Sequence, residues 1–446
     1  MPVIPLTVLS DLFNYLDANQ IDYSIWKSLE NFSAQTQGIG DIDVVFSKQQ
    51  ATAVTEALQI HGFVLDARSI ATVGREILVY RTFDYHSRKY TTVHAHFACR
   101  FGSKLHKEYR FPFEKLMFKS HILQDGMKRL NDDLFYASRL LIISVQGKYN
   151  DPILERIITQ LQNNPTHNSI LEQVIETYFS CSTEDFLHHS KSNPDHFFAS
   201  TANKVKTTLN KENSSDNYIK EANFNRFRPR LIEKIATGFG FSRNKTRKPA
   251  EIIIAGHDGT GKSTVAKKAC ELFSPVAPTK YIYLGRKEWG TINTKINLLR
   301  SNRILSRPMS QLWPLSSTTE IALRILIGKL YKLGGAIVIY DRPAYDICIK
   351  YENRKNISGY VARKLGEFIG KRHGDYCYFL TALPKVAVSR KPKGKYCETS
   401  LSELHEKYAQ TLDNRYHSID TSFINSDEVA AQIVRQYFLN VAGSKN

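Results

Sequence analysis

The spacing of apolar residues changes several times along the chain, and each change marks an element or a boundary. Leu6 to Leu16 repeats at helical spacing, Asp43-Val44-Val45-Phe46 closes a strand, and Gln49 to His61 returns to a helix. Glu76 to Tyr85 and Tyr90 to Phe97 alternate as strands do and face each other across His86-Ser87-Arg88-Lys89, which predicts an antiparallel pair. Residues 1–110 therefore read as a small α/β unit. From 111 to 215 helical spacing takes over, as in Asp132 to Val145 and Ile153 to Leu161, and polar runs such as Asn163-Asn164-Pro165-Thr166 separate the helices. A helical middle domain follows from this pattern. Residues 216–249 lose periodicity and read as a linker. Beyond residue 250 strands and helices alternate: Glu251 to Ala255, Ser263 to Phe273, Lys280 to Leu284, Thr319 to Leu333, Ala336 to Tyr340, Val361 to Gly370 and Tyr376 to Leu380. Such alternation predicts a doubly wound α/β domain over 250–446, a parallel sheet that binds ligands at the carboxyl ends of its strands.

Composition adds limits. A length of 446 residues favours two or three domains, and 42% apolar with 11% aromatic residues describes packed globular units. No apolar run is long enough to span a membrane, and Met1 to Leu16 lacks a basic start and a small-residue cleavage site, so a cytoplasmic protein is expected. The six cysteines are scattered without a C-x-x-C pair, which favours ordinary thiols over zinc ligands or disulfides. The net charge of +18 predicts attraction to polyanions. Part of it is concentrated in Arg226-Phe227-Arg228-Pro229-Arg230 and Arg243 to Lys248. The plain reading of Arg226 to Lys248 is a solvated linker, and the sharper one is a surface for nucleic acid or an anionic membrane.

Two stretches carry chemistry. The first is Gly256-His257-Asp258-Gly259-Thr260-Gly261-Lys262-Ser263-Thr264, which has the spacing G-x-x-x-x-G-K-S between a strand and a helix. Glycines there let backbone N–H groups turn toward phosphate oxygens at a helix N-terminus, Lys262 adds a point charge, and Ser263 offers a hydroxyl to Mg²⁺. ATP and Mg²⁺ are the ligands this implies. The second is Gly335 to Tyr340 followed by Asp341-Arg342-Pro343, an apolar strand that delivers a carboxylate toward Mg²⁺ and a guanidinium toward an acceptor phosphate.

Together the loop and Tyr340-Asp341-Arg342 resemble the thymidylate kinase family, which carries G-x-D-G-x-G-K-S/T and an Asp-Arg strand end, over roughly residues 250 to 446. The resemblance implies a P-loop phosphotransferase in which Asp258 contacts the acceptor sugar and Arg286 in Arg286-Lys287-Glu288-Trp289-Gly290-Thr291 reaches the acceptor phosphate. It also implies that Ser389-Arg390-Lys391-Pro392-Lys393-Gly394-Lys395 forms a lid. Because Gly259 stands where some members place an arginine, Arg390 becomes the catalytic guanidinium. The family stacks thymine on an aromatic in the helix before the Asp-Arg strand, whereas Glu320 to Leu326 has none, leaving Arg324 to contact a base or face solvent. The acceptor implied is a small phosphorylated molecule, dTMP among the candidates, and a homodimer is a further possibility.

In the first unit, Gly40-Asp41-Ile42-Asp43 puts two carboxylates on one face of a strand, a spacing that holds a divalent cation in nucleotidyltransferases, which this stretch resembles. Trp26 to Asn31 stands where a glycine-serine pair belongs in that family, and His94 and His96 stand where a third carboxylate would come. A binding relic is thus favoured over catalysis. Three functions stay open: an ATP-dependent phosphotransferase, a nucleotide-binding regulatory protein, and a nucleotidyltransferase in surface-polysaccharide assembly.

Overall fold

The computed structural model describes residues 4–66, 76–102, 107–147, 151–163, 169–212, 248–285, 306–391 and 397–444, without the side chains of 306–312. The chain divides into two compact units, Met1–Lys234 with Phe438–Asn446, and Ile235–Tyr437.

In the first unit α1 (Thr7–Ala18), β1 (Tyr23–Ile25), α2 (Phe32–Thr36), β2 (Asp41–Phe46), α3 (Ala51–Ile60), β3 (Val64–Leu65), β4 (Ile77–Asp84) and β5 (Lys89–His96) come first. Two short strands, β6 (Arg100–Phe101) and β7 (Tyr109–Arg110), pair with each other, and β8 (His121–Gln124) and β9 (Met127–Leu130) follow as a hairpin. Its turn, Asp125-Gly126, has φ of 51° and 78°, the left-handed pair that two-residue hairpins require. The seven-stranded sheet runs β3-β4-β5-β2-β1-β9-β8 and is mixed, with β2 parallel to β5 and β1 parallel to β9. Where helical spacing was expected throughout 111–215, the first part is this hairpin. Helices begin at α4 (Asp132–Gln146) and continue through α5 (Ile153–Asn163), α6 (Ile170–Val174), α7 (Thr183–Ser192) and α8 (Pro194–Glu212). The sheet is buried on both faces. Alternate residues Ile42, Val44, Val93 and Ala95 join Leu9, Leu12 and Val54 of α1 and α3 in one core, while Val45 and Trp26 join Leu134, Leu141 and Phe198 of the helical layer in another.

In the second unit β10 (Ala250–Gly256), α9 (Lys262–Phe273), β11 (Thr279–Tyr283), α10 (Ser306–Leu333), β12 (Ile337–Asp341), α11 (Asp346–Lys350) and α12 (Ile357–Gly370) are followed by β13 (Tyr376–Thr381), α13 (Pro384–Ser389), α14 (Glu398–Thr411), β14 (Tyr416–Asp420) and α15 (Ser426–Gly443), whose residues from Phe438 on count with the first unit. The strands among its described residues are all parallel, in the order β11-β12-β10-β13-β14. This is an α/β fold. β10 is buried along its whole length between β12 and β13, which is why it reads as an unbroken apolar run. The connection leaving β10 runs to one side of the sheet and the connection leaving β12 to the other, so a crevice opens between the ends of these two strands.

No helix among the described residues is long and apolar enough to cross a membrane. All six cysteines are free thiols. Most of Arg226 to Lys248, all of Arg286 to Thr291, and 392–396 of the expected lid lie outside the described residues.

Candidate functional site

The loop from Gly256 to Gly261 fills the crevice mouth. Gly256 has φ 146°, and a Cβ there would sit 2.5 Å from the carbonyl oxygen of Leu380 on β13. Gly259 has φ 92° and lies against the Ala387 carbonyl of α13. A side chain at 256 would push the loop off β13 and one at 259 off α13, so an arginine at 259 is sterically excluded. Thr260 is buried, donating from Oγ1 to the His257 carbonyl at 2.9 Å and accepting at its own carbonyl from Thr421 Oγ1 at 3.2 Å. Ser263 and Thr264, in the first turn of α9, are exposed and line one cavity together with the loop residues Asp258 to Gly261.

Lys262 opens α9 and is 5% exposed. Its Nζ donates to the His257 carbonyl at 2.6 Å and lies 3.8 Å from Asp258 Oδ1. Burial, reinforced by the nearby charge of Arg342, pulls its pKa down to about 8. At the end of β12, Asp341 is fully buried. Its Oδ2 accepts from the Tyr281 hydroxyl at 2.8 Å, while Oδ1 has no hydrogen-bond partner among the described residues. A buried carboxylate oxygen left over in this way is suited to a hydrated cation.

Arg342 takes a φ of 93°, rare for a residue with a Cβ, fixed by its N–H donating to the Ile254 carbonyl at 3.0 Å. The turn swings its guanidinium between two carboxylates, Asp258 Oδ1 at 3.2 Å and Asp346 Oδ2 at 3.1 Å, and over the ring of Tyr283. Burial opposes its charge, but Asp346, Tyr408, Tyr283 and Asp258 carry its pKa above the ordinary arginine value. Asp346 also accepts from the Tyr408 hydroxyl at 2.7 Å, and burial raises its pKa.

Two cavities meet at this arginine. The larger, about 640 Å³, holds the loop together with Arg390, Thr421 and Asn425. The smaller, about 380 Å³, holds Tyr283, Ile321, Asp346, Lys350, Tyr351 and Tyr408. Asp258, Tyr283 and Arg342 line both. The aromatics of the smaller cavity come from the end of β11, the segment after α11, and α14. The helix stretch Glu320 to Leu326, where an aromatic was sought, contributes none. Ser317 of α10 lines that cavity with a buried Oγ that has no partner among the described residues.

Arg324 neither reaches this cavity nor faces solvent. It is 2% exposed, paired with Glu320, and donates from Nη1 to the carbonyls of Tyr283 at 2.6 Å and Gly285 at 2.8 Å, latching the end of β11. Arg390 stands beside the loop, donating to the Gly259 carbonyl at 3.4 Å, to Thr421 Oγ1 at 3.2 Å and to the Thr421 carbonyl at 2.7 Å.

In the first unit, Asp41 and Asp43 point to one face of β2 as their spacing predicts, but each meets an imidazole from β5. The parallel register sets Asp43 opposite His94 and Val45 opposite His96. Asp43 Oδ1 lies 2.7 Å from His96 Nε2 and 3.4 Å from His94 Nδ1, and Asp41 Oδ2 lies 3.4 Å from His94 Nε2. His96 is buried edge-on to the Trp26 ring, its Nδ1 without a partner among the described residues.

The chain is similar to a solved structure of thymidylate kinase from Candida albicans, with 19% identity and a TM-score of 0.32, over 44% of this chain and 93% of that one. No family model matches the chain. No curated protein matches it either.

Proposed function

We propose that the second unit transfers a phosphoryl group from ATP to a small phosphorylated acceptor. The observation that carries this reading is the pair of cavities sharing Asp258, Tyr283 and Arg342 beside a glycine cradle, one suited to a donor and the other to an acceptor. The donor triphosphate would lie on the loop N–H groups and Lys262, with its nucleoside toward Arg390 and Asn425. Ser263 and Asp341 would hold Mg²⁺, and the buried free Oδ1 of Asp341 fits that role. Bound Mg²⁺ supplies charge neutralisation across phosphate oxygens.

Arg342 and Lys350 would hold the acceptor phosphate, and Tyr283, Tyr351 and Tyr408 would pack against the rest of the molecule. A phosphate acceptor is largely ionised near neutrality, since its second pKa is about 6, and needs no general base. Positioning and charge therefore suffice. Arg390 would act by bracing Gly259 against Thr421, with its guanidinium face turned to the donor cavity. The motifs resemble those of thymidylate kinases, but the aromatic walls are differently sourced, so dTMP is not expected to be singled out.

The test is a screen with labelled ATP and Mg²⁺ over dTMP, dUMP, dCMP, sugar phosphates and lipid-linked sugars. One or more phosphorylated acceptors should turn over, and Arg342→Ala should raise KM and lower kcat for all of them. A kcat/KM advantage of about a hundredfold for dTMP, about 2.7 kcal/mol in transition-state binding, would instead mark a dedicated thymidylate kinase. Turnover unaffected by Arg342→Ala, or none with any phosphorylated acceptor, would sink the proposal.

A further inference from the structure

The polar cluster on β2 and β5 lies in the first unit and takes no part in the proposed phosphoryl transfer. One ligand atom each from Asp43, His94 and His96 lies within 4.8 Å of the other two, with His94 Nδ1 and His96 Nε2 both turned to Asp43 Oδ1. A metal bound at about 2.0–2.1 Å to nitrogen and oxygen, at octahedral or tetrahedral angles, sets its neighbouring donors about 2.8–3.4 Å apart. The distances from Asp43 Oδ1, 2.7 and 3.4 Å, bracket that range. Small rotations of the side chains would meet it.

The surroundings suit a metal in a second way. A ligating histidine ordinarily gives its other ring N–H to a carboxylate, which fixes the tautomer and orients the ring. Asp41 stands in that place, its Oδ2 3.4 Å from His94 Nε2, and an N–H given to it there would leave Nδ1, 3.4 Å from Asp43 Oδ1, for a metal. The ring of His96 is held by packing instead, buried against Trp26. Both histidines are in register with the Asp strand because β2 and β5 are parallel, so the backbone sets the donor spacing.

From this geometry we infer that Asp43, His94 and His96 form a site for a first-row divalent transition metal such as zinc, with Asp41 as the outer carboxylate of His94. Two imidazoles and one carboxylate are the donors of zinc, iron and cobalt, whereas magnesium takes oxygen ligands almost alone. The ammonium of Lys27, 4.0 Å over the Trp26 ring and acting electrostatically on Asp43, opposes any cation held by charge only. It therefore weighs further against magnesium than against a metal bound through nitrogen. Three protein donors leave at least one position to water or substrate, as in metal sites that do chemistry rather than close a fold.

The experiment uses the full chain stripped of metal. Co²⁺ is titrated in and read by its visible d–d absorption, then displaced with Zn²⁺ or with excess Mg²⁺. Stoichiometric Co²⁺ binding is expected, displaced by Zn²⁺ and not by Mg²⁺. His94→Ala and Asp43→Asn should weaken binding by about 100-fold or more, and Asp41→Asn by about 10–100-fold. His94 is partly exposed, so its variant should fold, with circular dichroism as the check. The inference is overturned if Co²⁺ does not bind, if Mg²⁺ competes as well as Zn²⁺, or if folded His94→Ala and Asp43→Asn bind Co²⁺ like the parent.

Discussion

At the scale of single residues, Lys262 shows how burial ties stability and binding to pH with opposite signs. Its pKa is pulled from the ordinary lysine value of about 10.5 down to about 8, mainly by loss of water. Between these values the unfolded chain holds a proton that the folded chain has released, so this group makes stability rise with pH across about 8 to 10.5. Below pH 8 the charged, buried lysine costs stability, by about 3 kcal/mol at most. The phosphate binding proposed for this lysine runs the other way, because an anion there needs the ammonium. For the free protein, nucleotide affinity should hold steady near pH 7, then fall about tenfold per pH unit above 8. Binding at pH 8.5 should take up protons, seen as a dependence of the calorimetric enthalpy on buffer ionisation. In Lys262→Ala the affinity should be low and flat over that range. Flat affinity in the parent would mean that the Lys262 ammonium does not meet phosphate.

At the scale of elements, the latch between α10 and β11 holds the wall of the smaller cavity, the one proposed for the acceptor. Arg324 and Glu320 form a buried pair one helical turn apart, and the arginine also holds the carbonyls of Tyr283 and Gly285. Removing one member of a buried pair strands the other and costs about 3–5 kcal/mol, while replacing both with apolar groups of similar size costs much less. Arg324→Ala should therefore lower the denaturation midpoint strongly, and Glu320→Met with Arg324→Met should recover most of the loss. Where Arg324→Ala is still folded, acceptor KM should rise while nucleotide affinity stays near the parent value, since Gly285, whose carbonyl the arginine holds, lines the smaller cavity and not the larger. An unchanged acceptor KM would show that the latch does not shape the site.

The same elements explain what could be read in advance. The loop and its flanking strand were legible because a strand buried on both faces is an unbroken apolar run and the glycine spacing is set by close backbone approach. Asp341-Arg342 was legible as a polar pair at the end of such a strand. The hairpin β8-β9 was not, because Ile122 and Leu123 are exposed there and break the alternation. Asp125-Gly126 was the available signal. β14 was hidden in Tyr-His-Ser-Ile-Asp, where only Ile419 is buried. The aromatic wall of the smaller cavity could not be read locally at all, since Tyr283, Tyr351 and Tyr408 lie on three separated segments that only the tertiary fold brings together. Arg324 looked like a solvent-facing or base-contacting residue because its partners Tyr283 and Gly285 are backbone carbonyls about forty residues away. That His94 and His96 join Asp41 and Asp43 was legible from their place on a later strand, whereas the parallel register that decides which imidazole meets which carboxylate is not visible in sequence spacing.

At the scale of the whole molecule, the two units should respond to different ligands. The first closes its cores around Val44, Val45 and the helical layer, and the second around β10, β12 and their helices. Each has enough buried apolar surface to unfold as its own cooperative transition, so a single melting temperature should not describe the chain. A ligand stabilises only the unit whose folded form it binds, by about 2.7 kcal/mol at a hundred times its Kd. Calorimetry of the full chain should then show two transitions. A non-hydrolysable ATP analogue with Mg²⁺ should raise one of them and leave the other in place. Zinc at stoichiometric concentration should raise the other. Lys262→Ala should abolish the first shift and keep the second, and His94→Ala should do the reverse. If both ligands move one common transition, the units unfold together and the separation of their cores is not energetic. If both ligands move the same one of two transitions, the two sites have been assigned to the wrong units.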